Sequence, residues 1–213
     1  PGRSRKEVYV YLTCPYALER LFRLARIAGI NTIESLSLPS LSDTQALVLN
    51  DKLLANGKLV LESYAFEKAA DSEKLKHIAQ WLMQNALLQD DPAHTFFREK
   101  LGKDLVMVND TQFSFFVRNS TVVEPHVRID DETGTAEDGG LFFTENLPPE
   151  SLMVSLVMAS KERRKKGENP NDTTSADELL ETIRKNFENK TIQIGGDATT
   201  GRGQVVLHFV NGK

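Results

Sequence analysis

Leu18, Leu21, Phe22, Ala25 and Ala28 recur at helical spacing and make the first apolar stripe of the chain. Thr13 or Cys14 can cap the helix this predicts, Pro15 suits its first turn and Gly29 its end. Just upstream, Val8-Tyr9-Val10-Tyr11-Leu12 alternates, which predicts a half-buried strand with Val8, Val10 and Leu12 on one face. Residues 31–71 are weakly patterned. Leu36 to Leu41, with Pro39, reads as loop, while Val48-Leu49 and Lys58 to Leu61 read as a small hairpin around the turn pair Asn56-Gly57. Ser72 to Gln89 predicts a helix carrying Leu75, Ile78, Leu82, Ala86 and Leu87, with Trp81 as a core or interface anchor. Asp91-Pro92 opens a further helix through Phe96, Phe97 and Leu101, which Gly102 would close.

The second half alternates the same two periods. Leu105 to Val108 is a buried type of strand, and Asp110 can cap a short helix holding Phe113, Phe116 and Val117 and ending near Asn119. Val127 to Asp130 and Gly140 to Thr144 predict the arms of an extended hairpin with a polar tip from Asp131 to Gly139. Ser151 to Ala159 reads as a central strand with Leu152, Val154, Leu156 and Met158 on one face. After the basic run Lys161 to Lys166 and a polar loop, Ser175-Ala176-Asp177-Glu178 has the form of a capping box. The helix it starts would bury Leu179, Leu180, Ile183 and Phe187. Two short apolar runs, Thr191 to Ile194 and Gln204 to Val210, complete the pattern as strands. Strands and amphipathic helices without a run of parallel βαβ signals predict an α+β fold with a mostly antiparallel sheet.

Between those last strands lie Gly195-Gly196-Asp197-Ala198-Thr199-Thr200-Gly201-Arg202-Gly203. Four glycines in nine residues are more than a hairpin needs, and successive exposed N–H groups in such a loop can form a nest for phosphate oxygens. Arg202 adds a planar fork of donors suited to phosphate. Composition alone leaves both a long hairpin loop and an anion-binding loop open. A Walker A loop is excluded, because no Gly-Lys-Ser/Thr closes the stretch and a strand follows it.

Bulk properties narrow the classes. The 213 residues suit one domain of ordinary size. No apolar run approaches the roughly 20 residues of a membrane span. The lone Cys14 rules out an internal disulfide and fits a reducing, cytoplasmic setting; we read it as a small residue at a helix start. Net charge of −4 counts against a free-standing nucleic-acid binder, but not against a local basic groove. His77, His94, His126 and His208 are scattered, so no structural metal is assigned. Arg20, Arg23 and Arg26 recur every three residues and read first as a solvated face.

The glycine-rich loop between strands of this form resembles that of RAMP-superfamily CRISPR proteins, in particular the backbone subunit of the type III-B (Cmr) effector complex. Three more stretches carry the resemblance in the same order: Pro1 to Lys6, Thr13 to Arg20, and Val123 to Asp130, the last continuing through Glu132-Thr133-Gly134-Thr135 to Asn146-Leu147-Pro148-Pro149-Glu150. It implies a modified ferredoxin-like (RRM-like) palm over residues 1–213, with inserted helices and a β-hairpin thumb at about 120–150. It implies guide-RNA binding by Arg3, Ser4, Lys6, Gly195, Gly196, Thr199, Gly201, Arg202 and Gly203, with His126 and Arg128 on the thumb. Gly2, Arg5 and Glu7 depart from the family pattern at the first of these sets. The thumb's two arms, around Val127 to Asp130 and Leu141 to Thr144, are expected to be ordered by RNA or a neighbouring subunit, and the tip from Asp131 to Gly139 to be mobile in the chain alone.

The implied partners are guide and target RNA, further copies in a head-to-tail filament and other Cmr-type subunits, with no membrane. Such subunits cut target RNA with a divalent metal, Mg²⁺ or Mn²⁺, through an acidic residue in a loop near their N-terminus. Against the family pattern this chain begins downstream of that loop, so it is expected to bind without cutting and no residue is assigned as catalytic. The acids Asp130, Asp131, Glu132, Glu137 and Asp138 are the obvious substitute, though solvated turn acids are the commoner reading. A guide-processing ribonuclease of the same superfamily and a non-enzymatic anion-binding domain are the alternative functions.

Overall fold

The computed structural model describes residues 8–33, 37–163 and 173–210. Its centre is a six-stranded sheet. The strands are β1 (Tyr11–Thr13), β2 (Gln45–Val48), β3 (Leu54–Ala55), β4 (Lys58–Leu61), β5 (Tyr64–Lys68) and β6 (Leu105–Met107), in the spatial order β1-β6-β2-β5-β4-β3. β1 runs parallel to β6 and β2 parallel to β5, whereas β2–β6, β4–β5 and β3–β4 are antiparallel. The sheet is therefore mixed, with three of its five pairings antiparallel, as the pattern's mostly antiparallel expectation allows. Helices α1 (Pro15–Ile27), α2 (Glu73–Asn85), α3 (Thr95–Lys103) and α4 (Asp110–Asn119) surround it.

Both faces of this sheet are covered, which explains why its central strands read as continuous apolar runs. On one face Leu47, Leu105 and Met107 meet Leu18 and Phe22 of α1, Leu75, Ile78 and Ala79 of α2, and Leu101 of α3. On the other, Val10, Ala46, Val48, Val106 and Val108 pack with Leu59, Leu61, Phe66 and Phe116 of α4. Neighbours along β6 thus feed opposite cores, as the two-residue period of a strand requires. Val8 stands 85% exposed, so the expected alternation of β1 begins only at Val10.

Local chemistry sets the element ends. Cys14 caps α1 through Sγ, which accepts from the Ala17 N–H at 3.4 Å. Asn109, not Asp110, caps α4: its Oδ1 accepts from the Gln112 N–H at 2.9 Å. Asp110, first residue of that helix, instead accepts from the Tyr16 N–H at 2.9 Å and ties α4 to α1. Gly102 does not close α3 but sits inside it, where an added Cβ would lie 2.8 Å from Sδ of Met83 on α2. Its smallness lets the two helices meet. α2 ends at Asn85, earlier than expected, and Trp81 donates from Nε1 to Thr32 Oγ1 at 3.0 Å. Asn56-Gly57 does make a hairpin turn, but the strand opposite Lys58–Leu61 is Leu54–Ala55, and Val48 pairs with Val106 of β6.

A buried ion pair closes α3. Lys100 Nζ lies 2.7 Å from Asp104 Oδ2 and 4.9 Å from the Tyr9 ring centroid, and Asn50 donates to Asp104 Oδ1 at 2.7 Å.

Beyond residue 119 the architecture changes. β7 (Val122–Ile129) and β8 (Ala136–Asn146) form a two-stranded hairpin with a register irregularity between Val127 and Ile129. Its arms are longer than expected, and the tip shrinks to Asp130–Thr135. Residues 147–163 carry no regular structure, so the strand expected at Ser151 to Ala159 is absent, with Met153 and Met158 more than three-quarters exposed. Of the basic run, Arg164 to Lys166 lie outside the described residues. α5 (Ala176–Phe187) has the expected capping box: Ser175 Oγ accepts from Glu178 N–H, and Glu178 Oε2 accepts from Ser175 N–H. It nevertheless buries none of its residues, contrary to expectation. β9 (Thr191–Gln193) and β10 (Gln204–Val206) pair antiparallel and frame the glycine-rich loop.

Candidate nucleic-acid interface

The loop between β9 and β10 is built by its own backbone. Asp197 adopts a left-handed conformation, φ 57°, and leads into a single 3-10 turn over Ala198–Thr200. The Asp197 carbonyl then accepts from the Thr200 and Arg202 N–H groups, both at 3.1 Å, and from the Thr200 hydroxyl at 2.9 Å. Gly203 has the clearest need to be glycine: φ is 70°, and an added Cβ would lie 2.3 Å from the Ile194 carbonyl oxygen. Around Gly196 and Gly201 there is open space, so close approach by the protein itself does not account for them. Among the described residues, the N–H groups of Gly195 to Thr199 donate to no acceptor. A short run of free donors of this kind suits an oxygen-rich anion.

Arg202 points away from isolation. Its Nη2 donates to both carboxylate oxygens of Glu124 on β7, with both side chains about one-third exposed (36% and 34%). The glycine-rich loop and the long hairpin are therefore joined by charge. Glu124 was not singled out by the sequence pattern; its signal was its place two residues before His126 on an alternating strand.

His126 and Arg128 share the face of the hairpin that carries Glu124. Across the ladder Glu124 stands opposite Thr144 and His126 opposite Phe142, and a Cβ on Gly140 would lie 3.1 Å from that of Arg128. The His126 ring stacks on Phe142 with centroids 5.3 Å apart and planes 19° apart, and its Nε2 lies 2.9 Å from Thr144 Oγ1. Arg128 Nη1 is 3.4 Å from Glu137 Oε2. The opposite face holds Val123, Pro125, Val127, Ile129, Leu141 and Phe143, all exposed.

At the tip Asp130 is spent on its own turn. One carboxylate oxygen accepts from the N–H groups of Glu132 (2.9 Å) and Thr133 (2.8 Å) and from the Thr133 hydroxyl (3.0 Å). These bonds, the Thr133 N–H foremost, hold its carboxyl below the usual carboxylate range. No three acids, histidines or cysteines converge among the described residues, so the tip acids do not fit a divalent metal. Arg3, Ser4 and Lys6 lie outside the described residues. Thr199 is exposed in the loop, and Arg20, Arg23 and Arg26 are exposed along α1. Burial pushes the Cys14 thiol up to about 12, which keeps it protonated and unreactive near neutral pH. A cleft of ≈ 350 Å³ beside it, lined by Tyr16, Asp110, Phe113 and Arg118 among others, contains none of the loop residues.

Residues 49–206 match the RAMP superfamily. The chain belongs to that superfamily. It is 29% identical over 205 residues to the CRISPR system Cmr endoribonuclease Cmr4 of Pyrococcus furiosus, a likeness covering 96% of this chain and 63% of that protein. Its fold is similar to the crystal structure of oligomeric Cmr4 from Pyrococcus furiosus, with a TM-score of 0.59 at 22% identity over 96% of this chain and 65% of that one. It is also similar to a chain of the type III-B Cmr-beta complex bound to cognate target RNA, solved by cryo-EM, with a TM-score of 0.54 at 16% identity over 96% and 62%. This RAMP chain thus spans less than two thirds of the length of these relatives. Among its described residues no helix is long and apolar enough to cross a membrane.

Proposed function

We propose that this RAMP chain belongs to a guide-RNA-binding backbone subunit of a type III-B CRISPR effector complex. The observation that carries the reading is the glycine-rich loop, where free N–H groups from Gly195 to Thr199 lie beside Arg202 in a chain related to Cmr4 along 96% of its length. In this reading the six-stranded sheet with its helices is the modified ferredoxin-like palm, and β7–β8 is the thumb. The loop holds phosphates of the guide, with Arg3, Ser4 and Lys6 as a second contact set and the His126–Arg128 face of the thumb beside the RNA. Sequence is then read by base pairing with target RNA, while the protein reads backbone and shape. Copies stack head to tail, as a heterologous interface that does not close into a ring permits, and other Cmr-type subunits complete the assembly in the cytoplasm. Cleavage of target RNA with Mg²⁺ or Mn²⁺ is proposed for the full-length subunit.

The test is binding of a single-stranded RNA at fixed salt, with particle size followed by light scattering. Wild type binds and forms RNA-dependent assemblies. Arg202→Glu removes a phosphate donor, adds a repelling carboxylate and weakens binding about tenfold or more. A protein that stays monomeric with RNA, and a folded Arg202→Glu variant that binds as wild type does, would together sink the reading.

A further inference from the structure

We infer that in the RNA-free chain the Glu124 carboxylate takes the place of a backbone phosphate at Arg202, and that bound RNA must displace it. The inference rests on the proposed role of the loop and adds a competitor to it. Three observations carry it. Both oxygens of Glu124 are engaged by one nitrogen of Arg202, a guanidinium whose donors suit phosphate oxygens as well as a carboxylate. The pair is part-exposed, so an incoming anion can reach it. And among the described residues this contact is the one hydrogen-bonded link between the β7–β8 strands and the loop between β9 and β10.

A phosphate brought to Arg202 meets the Glu124 carboxylate as a like charge a few ångströms away, so the two anions disfavour each other at the same guanidinium. Either the carboxylate leaves, and the hairpin loses its polar tether to the loop, or the phosphate binds more weakly than the bare loop would allow. Because such coupling is reciprocal, whatever Glu124 contributes to holding the hairpin against the loop is subtracted from the affinity for RNA. Glu124 is in this sense a positioning residue: it acts on RNA through Arg202.

The experiment measures the Kd of a single-stranded RNA for wild type, Glu124→Gln, Glu124→Ala, Arg202→Ala and Glu124→Gln/Arg202→Ala. Glu145→Gln serves as the control. Glu145 lies on the same hairpin and accepts from the Thr121 hydroxyl at 2.7 Å, so its replacement changes net charge equally but away from Arg202. The expected result is binding about 5-fold tighter or more in both Glu124 variants, weaker binding in Arg202→Ala, no gain from Glu124→Gln in the Arg202→Ala background, and little change in Glu145→Gln. Arg202→Ala weakened with Glu124→Gln unchanged or weaker overturns this inference alone, and would mean that the carboxylate orients the guanidinium for RNA. A gain from Glu124→Gln that persists without Arg202, or is matched by Glu145→Gln, overturns it as a general charge effect. Arg202→Ala binding as wild type does overturns the loop as the RNA site, and this inference with it.

Discussion

Residues 8–119 and residues 120–210 are made from the same kinds of element, but every buried apolar side chain in the described structure lies between Val10 and Phe116. α1 and α5 show the contrast. Both are capped, and both carry an apolar stripe; α1 buries Leu18, Phe22 and Ala25, while α5 leaves Phe187 42% exposed and fully buries nothing. The difference lies in what faces them. α1 lies on a sheet already covered on its far side by α4, whereas α5 leads into a two-stranded ribbon in which no residue of β9 or β10 is buried. Periodicity states which face of an element is apolar; only the neighbouring layer decides whether water leaves it. A two-stranded hairpin is marginal by itself in water, so the region after residue 119 draws its order from hydrogen bonds, caps and the Glu124–Arg202 pair more than from burial.

Amide exchange would break this comparison most visibly. The N–H groups of Val106 and Met107, residues paired with a strand on both sides in a doubly covered sheet, are expected to exchange slower than an unfolded chain by a factor on the order of 10³ or more. Those of residues 152–158 should exchange close to the unfolded rate. Comparable protection in the two segments would mean the second region has a core of its own.

Truncation of side chains is the next test. Phe66→Ala, at a site 1% exposed, should cost about 3–5 kcal/mol in chemical denaturation. Met158→Ala, at a site 77% exposed, should change stability by no more than about 0.5 kcal/mol. Similar losses from both would contradict the division drawn above.

The smallest effect concerns the hairpin tip, where polar bonds replace burial. The Asp130 carboxyl is held below its ordinary value, so its bonds to Thr133 and Glu132 contribute above the unfolded carboxylate pKa of about 3.9. They are lost as pH falls through the lowered value. NMR titration should show the Glu132 and Thr133 amide signals moving only below that ordinary value. Movement at or above it would show that the turn is not organised by the carboxylate.

Much of the first region could be read from the chain. Cys14-Pro15, the Leu18–Phe22–Ala25 stripe and the apolar run from Leu105 all act locally, through caps and period, and they fold as their pattern implies. The pairing of strands did not follow. Asn56-Gly57 announces a turn, but whether Val48 or Ala55 lies opposite Lys58 depends on β6, some fifty residues later, competing for β2. Ser151 to Ala159 has good strand alternation, but among the described residues no strand pairs with it. At the site, the glycines and Arg202 stand out by composition, and His126 and Arg128 by alternation. The ion pair with Glu124 does not, because its partners are 78 residues apart and only the fold brings them together.

The Lys100–Asp104 pair bears on the order in which the first region comes together. Lys100 and Asp104 are 7% and 6% exposed, and Asn50, from the chain just after β2, completes the carboxylate's bonds. Docking α3 before that segment arrives would dry an ion pair whose acceptor lacks one of its donors, and dry charges with incomplete partners are strongly disfavoured. Half-assembled states are raised in energy by this requirement. The two segments, distant in the chain, should therefore close together as one cooperative step.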